Sequence, residues 1–306
     1  MSLLNRDNEN SLSTQSAAGS PGRAPSVTRH IAEHFRGRIP DHENRAAAFY
    51  WERKRRLVLE LIASRLPQLR ANTPAGEQPR FVDIGSGEAT DLFMIASYLN
   101  SCDPGWRFLG LEGFDKALEI SERKNATYGI PGVDFRSANV TRPLPLDDRK
   151  VDVLYCSEVL EHIPEPGQLL SEFARVVRLG GYALITTPNE PNLLQRSWWS
   201  RAHYEHLKQE SSGKQVVAES VVNGEPVKLY GHVSLHTNRE WDRMLAQHGF
   251  SLVDFRRGAA VYGNRPFYRK PGFYQARAAA EWVLDLFPRS LFRNLSDQVI
   301  ALYRRV

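Results

Sequence analysis

Cysteine is almost missing: Cys102 and Cys156 are the two in 306 residues. That excludes a disulfide framework and a multi-cysteine metal site, and both side chains are expected as buried thiols without redox work. No apolar run approaches the roughly 20 residues of a membrane-spanning helix, and the first residues carry no run of signal-peptide kind. The protein is therefore expected to stay in the cytosol. Apolar residues are also scarce in residues 1–28, which are rich in Ser, Asn, Gly and Pro. Such a stretch buries too little to offset the entropy of ordering, so a disordered tail is expected there.

What is present is ordinary globular material, 42% hydrophobic and 25% charged, enough for one sizeable core. The net charge of +5 is uneven, because Arg256 to Val306 holds ten Lys/Arg against three Asp/Glu. A basic lobe of this kind can meet anionic lipid, sugar phosphate or nucleic acid, or can simply be solvated. The run Arg53-Lys54-Arg55-Arg56 is expected on the wet face of a helix.

Residues 29–76 form a helical extension. From Asp41, a candidate N-cap, to Leu66 the residues Tyr50, Trp51, Leu57, Val58, Leu61 and Ile62 recur near helical spacing, and Pro67 closes the run. In residues 77–306 short apolar runs alternate with helical patterns. Phe81–Ile84, Arg107–Leu111, Val133–Arg136, Val151–Cys156 and Tyr182–Thr187 read as strands, and Thr90–Leu99, Asp115–Tyr128 and Gln168–Leu179 as helices. Gly180-Gly181 serves as the C-cap of the last helix. Thr237–His248 reads as a further helix, Ser251–Phe255 and Gln298–Tyr303 as strands, and Gln275–Phe287 as an amphipathic helix inside an insertion. The pattern predicts an α/β fold with a doubly wound, Rossmann-like sheet of seven mostly parallel strands.

The segment FVDIGSGEAT, Phe81–Thr90, is a strand running into a glycine turn and a helix, the place where open parallel sheets bind ligands. Gly85, Ser86 and Gly87 form a turn whose backbone can approach a ligand, and the N–H groups opening the next helix suit polar or anionic groups. Glu112 ends the next strand, where an acidic residue can accept hydrogen bonds from a ribose diol. A dinucleotide fingerprint wants a third small residue where Thr90 stands. Asp83, two residues before Gly85, can orient the loop and help neutralise a cationic ligand.

At this point the chain resembles the class I S-adenosylmethionine-dependent methyltransferases. Asp83, Gly85, Gly87 and Glu112 match the family's carboxylate, Gly-x-Gly and acidic strand end. Asn139, next to Val140, stands in the place of the Asp/Asn near the adenine amino group. SEVLEHIPEP, Ser157–Pro166, follows the fourth strand, and RLGGYALITTPN, Arg178–Asn189, leads into the fifth. Ala89 departs from a third glycine found in many members. The resemblance covers about Arg80 to Phe255, and Gln298–Tyr303 matches an antiparallel last strand. It implies S-adenosylmethionine as cofactor, held by Asp83, Gly85, Ser86, Gly87, Glu112, Asn139, Val140 and Ser157.

Methyl transfer is an in-line displacement that needs alignment and dryness, and a base only where a hydroxyl must lose its proton. His162 is the candidate base. Glu158, Glu161 and His162, at i, i+3 and i+4, can also share one side of a helical turn and hold a divalent cation. This triplet is similar to that of the ubiquinone-pathway O-methyltransferases and of the Hen-type small-RNA 2′-O-methyltransferases, whose matching residues bind metal. His232 is the nearest match to the latter's further histidine. In many relatives the same residues only order the turn.

Specificity is expected in loops, at 188–235 as a lid or substrate insertion and at 258–295 as a helical insertion before the last strand. Trp198, Trp199, His203, Tyr204 and His206 make the first aromatic, and Tyr262, Phe267, Tyr268, Phe273 and Tyr274 the second. Such rings stack on sugars, polyketides or bases, or close over the core. Tyr274, Ala278, Trp282, Phe287 and Leu291, among Arg277, Arg289 and Arg293, can touch a membrane surface, or form core or a dimer face. The expected function is methylation of a hydroxyl on a small molecule or glycan. A metal-assisted RNA 2′-O-methyltransferase and a non-catalytic cofactor-binding protein are the alternatives.

Overall fold

The structure is a computed structural model that describes residues 26–27, 29–30, 45–190, 192–193, 216–222, 224–261 and 274–306. In chain order its strands are β1 (Arg80–Ile84), β2 (Arg107–Glu112), β3 (Val133–Ser137), β4 (Val151–Ser157), β5 (Val177–Pro188), β6 (Val216–Val222), β7 (Glu225–Tyr230), β8 (Phe250–Phe255) and β9 (Gln298–Arg305). Its helices are α1 (Arg45–Arg70), α2 (Thr90–Cys102), α3 (Asp115–Tyr128), α4 (Pro166–Val176), α5 (Asn238–Gln247) and α6 (Tyr274–Asp285).

Seven strands make one sheet in the order β3-β2-β1-β4-β5-β9-β8, with β9 antiparallel to both neighbours. The pairs β3-β2, β2-β1, β1-β4 and β4-β5 are parallel. Three of the crossovers carry a helix, while β3 reaches β4 through residues 138–150 without one, and successive strand residues face opposite layers. Phe81 of β1, with Val153 and Tyr155 of β4, packs under α1 and α2. Val82 and Ile84, with Leu154 and Cys156, pack against α4 and α5. The expected doubly wound sheet is present, and β6 and β7 form a separate antiparallel hairpin.

Several local expectations are corrected. Pro67 does not end α1, which runs on to Arg70. An internal proline costs about 3 kcal/mol or more, and the burial of Leu69 beyond it, 2% exposed, works against that cost. Gly180 and Gly181 do not cap α4: that helix stops at Val176, and both glycines lie in β5. Val177 pairs with Val151 and Tyr182 with Val153, so residues 178–181 bulge out of register. Gly180, at φ +77°, receives the Asn72 side chain, whose Nδ2 donates to its carbonyl at 2.7 Å. Cys102 is half-buried, and Cys156 alone is a fully buried thiol.

The basic run of α1 is not a wet face. Arg53 is 6% and Lys54 3% exposed, because position 54 precedes Leu57, Val58 and Leu61 by three, four and seven residues, position 53 precedes Leu57 and Leu61 by four and eight, and both share their inward side. In the C-terminal stripe Trp282 is 64% and Leu291 66% exposed, so those residues are not core. Residues 1–25 of the expected tail, Asp41, the aromatics of 198–206 and residues 262–273 lie outside the described residues, as does the side chain of Tyr274. Ser26 is placed, and its carbonyl accepts from the His30 amide at 2.9 Å.

Candidate functional site

The carboxyl ends of β1, β2 and β4 meet a cavity of about 280 Å³. Gly85 and Gly87 form its floor with φ of +68° and +55°, a region that glycine enters without steric cost. At Gly85 a side chain is excluded twice, because a Cβ would also stand 2.5 Å from the Val159 Cγ2. At Gly87 only the backbone angle demands glycine, since among the described residues nothing lies within 4 Å of such a Cβ. Ala89 takes the same left-handed conformation, φ 58°, as the residue preceding α2.

Glu112, 6% exposed, fastens this turn to β2. Its Oε2 accepts from the Gly87 amide at 2.7 Å, and its Oε1 from the Gly113 and Phe114 amides at 2.8 and 2.9 Å. A carboxylate offers about four lone-pair sites, so three backbone donors leave room on Oε2 for a ligand hydroxyl. Burial raises the Glu112 pKa while these three amides pull it back. Asp83, 2% exposed, has its pKa pushed well up by burial and by Asp91 and Glu112 nearby. A cationic ligand would reverse that shift.

Asn139 and Val140 line the cavity beside Glu112. The Asn139 Oδ1 accepts from the amide and hydroxyl of Thr141 at 3.0 and 2.8 Å, an Asx turn that leaves its NH2 group for other partners. Ser86 faces elsewhere: a Cβ on Gly110 would meet its Oγ at 2.8 Å, and that hydroxyl is buried without a partner among the described residues. Its contribution to the turn is the backbone amide, which donates to the Leu111 carbonyl at 3.0 Å. Opposite the glycine turn, Val227, Lys228 and Leu229 of β7 close the cavity. Part of the insertion expected at the substrate thus covers the side where Glu112 and Asn139 stand.

The turn after β4 divides its acidic residues. Glu158 has a left-handed backbone, φ 55°, and the helical piece that follows is one 3-10 turn, Leu160–His162. The three side chains therefore do not share one helical face. The Glu158 Oε1 accepts from the Thr186 hydroxyl at 2.9 Å and from the Gln298 Nε2 at 3.1 Å. Glu161, 1% exposed, accepts from the Thr187 hydroxyl through Oε2 at 2.9 Å. Its Oε1 is buried with no hydrogen-bond partner among the described residues, 3.9 Å from the His162 Nε2. Burial and Glu158 push the Glu161 pKa well up.

The His162 Nδ1 lies 2.8 Å from the Tyr230 carbonyl of β7. A carbonyl only accepts, so Nδ1 carries the hydrogen and Nε2 keeps its lone pair. The chain then bends so that the Val233 and Ser234 amides donate to the Glu161 carbonyl at 2.8 and 3.0 Å. This bend brings His232, 70 positions from His162 in sequence number, to a ring distance of 5.0 Å. Donor atoms of Glu161, His162 and His232 lie within 4.8 Å of one another, and Glu158 is not in that group. Desolvation and the neighbouring His162 lower the His232 pKa, which favours the neutral imidazole that a metal needs.

Sequence reasoning missed a second layer contributed by α1. The Lys54 Nζ reaches the Ser157 Oγ at 2.8 Å, the Asp91 Oδ2 at 3.5 Å and the Glu158 Oε1 at 3.9 Å, and lies 4.6 Å from the Trp51 ring centroid. Arg55 and Lys54 hold the Asp91 carboxyl below the usual carboxylate range. Arg53 grips Asp285 of α6 through two hydrogen bonds of 2.8 Å, and Arg257 binds Glu281 at 2.7 Å. The available signal was a charged residue on an otherwise apolar helical stripe.

A model of the methyltransferase domain matches residues 76–249. A protein of Mycolicibacterium smegmatis named a probable S-adenosylmethionine-dependent methyltransferase is 34% identical over 140 residues, 46% of this chain and 46% of its own. The ubiquinone biosynthesis O-methyltransferase of Nitrosomonas europaea is 34% identical over 80 residues, 26% of this chain and 34% of its own. The chain thus spans less than half the length of these curated relatives. Among solved structures the CurJ carbon methyltransferase is similar in fold, with a TM-score of 0.50 and 11% identity over 82% of this chain and 54% of that one.

Proposed function

Because this chain belongs to the methyltransferase-domain family of class I S-adenosylmethionine-dependent enzymes, we propose that it methylates a hydroxyl of a small molecule or glycan with His162 as general base. The observation that carries this reading is the 2.8 Å contact between the His162 Nδ1 and the Tyr230 carbonyl. It leaves Nε2 as the proton acceptor beside the cavity that Gly85 and His162 both line. In the transfer the acceptor oxygen forms a bond to the methyl carbon while the carbon–sulfur bond breaks. The hydroxyl proton passes to Nε2, and the sulfonium becomes the neutral thioether of S-adenosylhomocysteine. The Nitrosomonas relative is an O-methyltransferase by name, which supports oxygen as the acceptor atom.

A second reading rests on the Glu161 Oε1, which has no hydrogen-bond partner among the described residues. Glu161, His162 and His232 supply the donor set of a divalent-cation site with open positions, and a cation bound there would lower the pKa of a coordinated hydroxyl. One experiment weighs both: methyl transfer from labelled S-adenosylmethionine into fractionated extract, with elemental analysis of the protein. His162→Asn should lower transfer on the order of 100- to 10,000-fold and leave S-adenosylhomocysteine binding intact. Full activity after chelation supports the base alone, and activity restored by one added cation supports the metal. Undiminished activity of His162→Asn would sink both readings.

A further inference from the structure

Strand β7 stands between two hollows. Successive strand residues point to opposite sides, so Val227 and Leu229 face the cavity that Glu112 and Asn139 line. Pro226, Lys228 and Tyr230 face the other way, into a recess of about 300 Å³ backed by Ile163, Pro164 and Leu169. Among the described residues β7 pairs with β6 alone, and the two make a sheet of their own. A strand with open space on both sides and no neighbour in the main sheet is held by few contacts. Val227, 6% exposed, supplies one of them, since a Cβ on Gly113 would stand 3.2 Å from its Cγ1. Where β7 begins, Glu225 binds Arg142 at 2.8 Å, an exposed pair that adds little.

The same strand ends at Tyr230, whose carbonyl lies 2.8 Å from the His162 Nδ1. Which nitrogen of a neutral imidazole carries the hydrogen is set by the hydrogen bond that the other makes. With the carbonyl in place, Nδ1 donates and Nε2 is left to accept. Without it, no described residue hydrogen-bonds the ring, and an imidazole in water prefers its hydrogen on Nε2. Val227 and Tyr230 are three residues apart, about 10 Å along an extended strand. What seats the strand at Val227 therefore also sets the place of the Tyr230 carbonyl.

We propose that β7 couples the cofactor to the base: the adenosine part seats Val227 and Leu229, and Tyr230, as positioning residue, then fixes His162 with its hydrogen on Nδ1. This rests on the S-adenosylmethionine and general-base readings, and it adds the group that selects the reacting nitrogen. A ligand shifts an element only through contacts that favour one of its positions. Here those are the contacts to the two apolar side chains over the Glu112 end. The competing role is a passive cover. A cover changes how well the cofactor binds and leaves the imidazole as it was.

Nitrogen NMR of the full chain with isotope-labelled histidine reads the tautomer directly at alkaline pH, where imidazoles are neutral, and His162→Asn assigns the signal. Ligand-free protein should show His162 as a mixture of tautomers, and saturating S-adenosylhomocysteine should turn it to the Nδ1–H form. 5′-Methylthioadenosine, which lacks the amino-acid end, should do the same. Val227→Ala should weaken both ligands on the order of 10-fold and leave His162 mixed even at saturation, whereas Val227→Ile should restore the single tautomer. One tautomer throughout, with or without ligand, overturns the proposal, and so does a pure Nδ1–H form in saturated Val227→Ala. Wild-type protein that binds neither ligand overturns the cofactor reading instead, and full methyl transfer by His162→Asn overturns the base reading.

Discussion

The two ends of the cavity are built in different ways. At the end proposed for the cofactor, a glycine turn is tied down by one glutamate through three backbone amides, all within Gly85 to Phe114. At the end proposed for the acceptor, Glu161 and His162 share one turn, while His232 comes from a distant segment that returns to the Glu161 carbonyl. Backbone groups near in sequence make a site that tolerates no side chain at one glycine. Side chains gathered from far apart make a site whose chemistry can change while the sheet stays the same.

The sharpest way to break this comparison lies at the glycines. Gly85→Ala adds a Cβ that meets Val159 at 2.5 Å in a left-handed backbone, and should weaken S-adenosylhomocysteine more than about 100-fold and cost roughly 3 kcal/mol of stability. Gly87→Ala meets open space and should cost only about 1 kcal/mol. Titration calorimetry and urea unfolding read both. Similar effects at the two positions would show that close packing on Val159 is not what singles out Gly85.

On α1, Arg53→Met removes the two-pronged grip on Asp285, which keeps Arg257 at 2.6 Å. Stability should fall by about 1–2 kcal/mol, and S-adenosylhomocysteine affinity should stay within roughly threefold, since α1 remains seated by Leu57 to Ile62. A large loss of affinity would mean that the two ends are not separable through α1.

The smallest effect is electrostatic. Asp83 carries a raised pKa when the cation is absent, so it holds its proton above the usual carboxylate range. A bound sulfonium lowers that pKa, and S-adenosylmethionine binding must then release protons. Affinity should rise with pH through the raised Asp83 titration and level off above it. Calorimetry in buffers of different ionisation heat detects the released proton, and Asp83→Asn should abolish that part of the signal. Affinity that falls with rising pH across this window would contradict the account.

Much of the cofactor end was legible beforehand because its signals are local. A strand ending in Asp83-x-Gly85-x-Gly87 and an acidic strand end at Glu112 need only short-range geometry to be read. Pro67 and Gly180-Gly181 misled for the same reason: local preference names a breaker, but the burial of Leu69 and the bulge opposite β4 override it. The metal-type cluster was half legible. Glu161 and His162 are adjacent and were expected together, whereas Glu158 turned away once its left-handed backbone and Thr186 claimed it. The approach of His232 depends on the hairpin returning to the Glu161 carbonyl.

By itself the sequence determined the alternation of strands and helices, the glycine turn and the family to which they point, because period-2 and period-3.6 patterns and glycine's left-handed freedom act over a few residues. Only the tertiary structure decided that Lys54 and Arg53 face inward, that the hairpin covers the Glu112 side, and that Glu161, His162 and His232 converge. Those outcomes depend on which distant surfaces pack together. A buried charge is tolerable only where such packing supplies its partner.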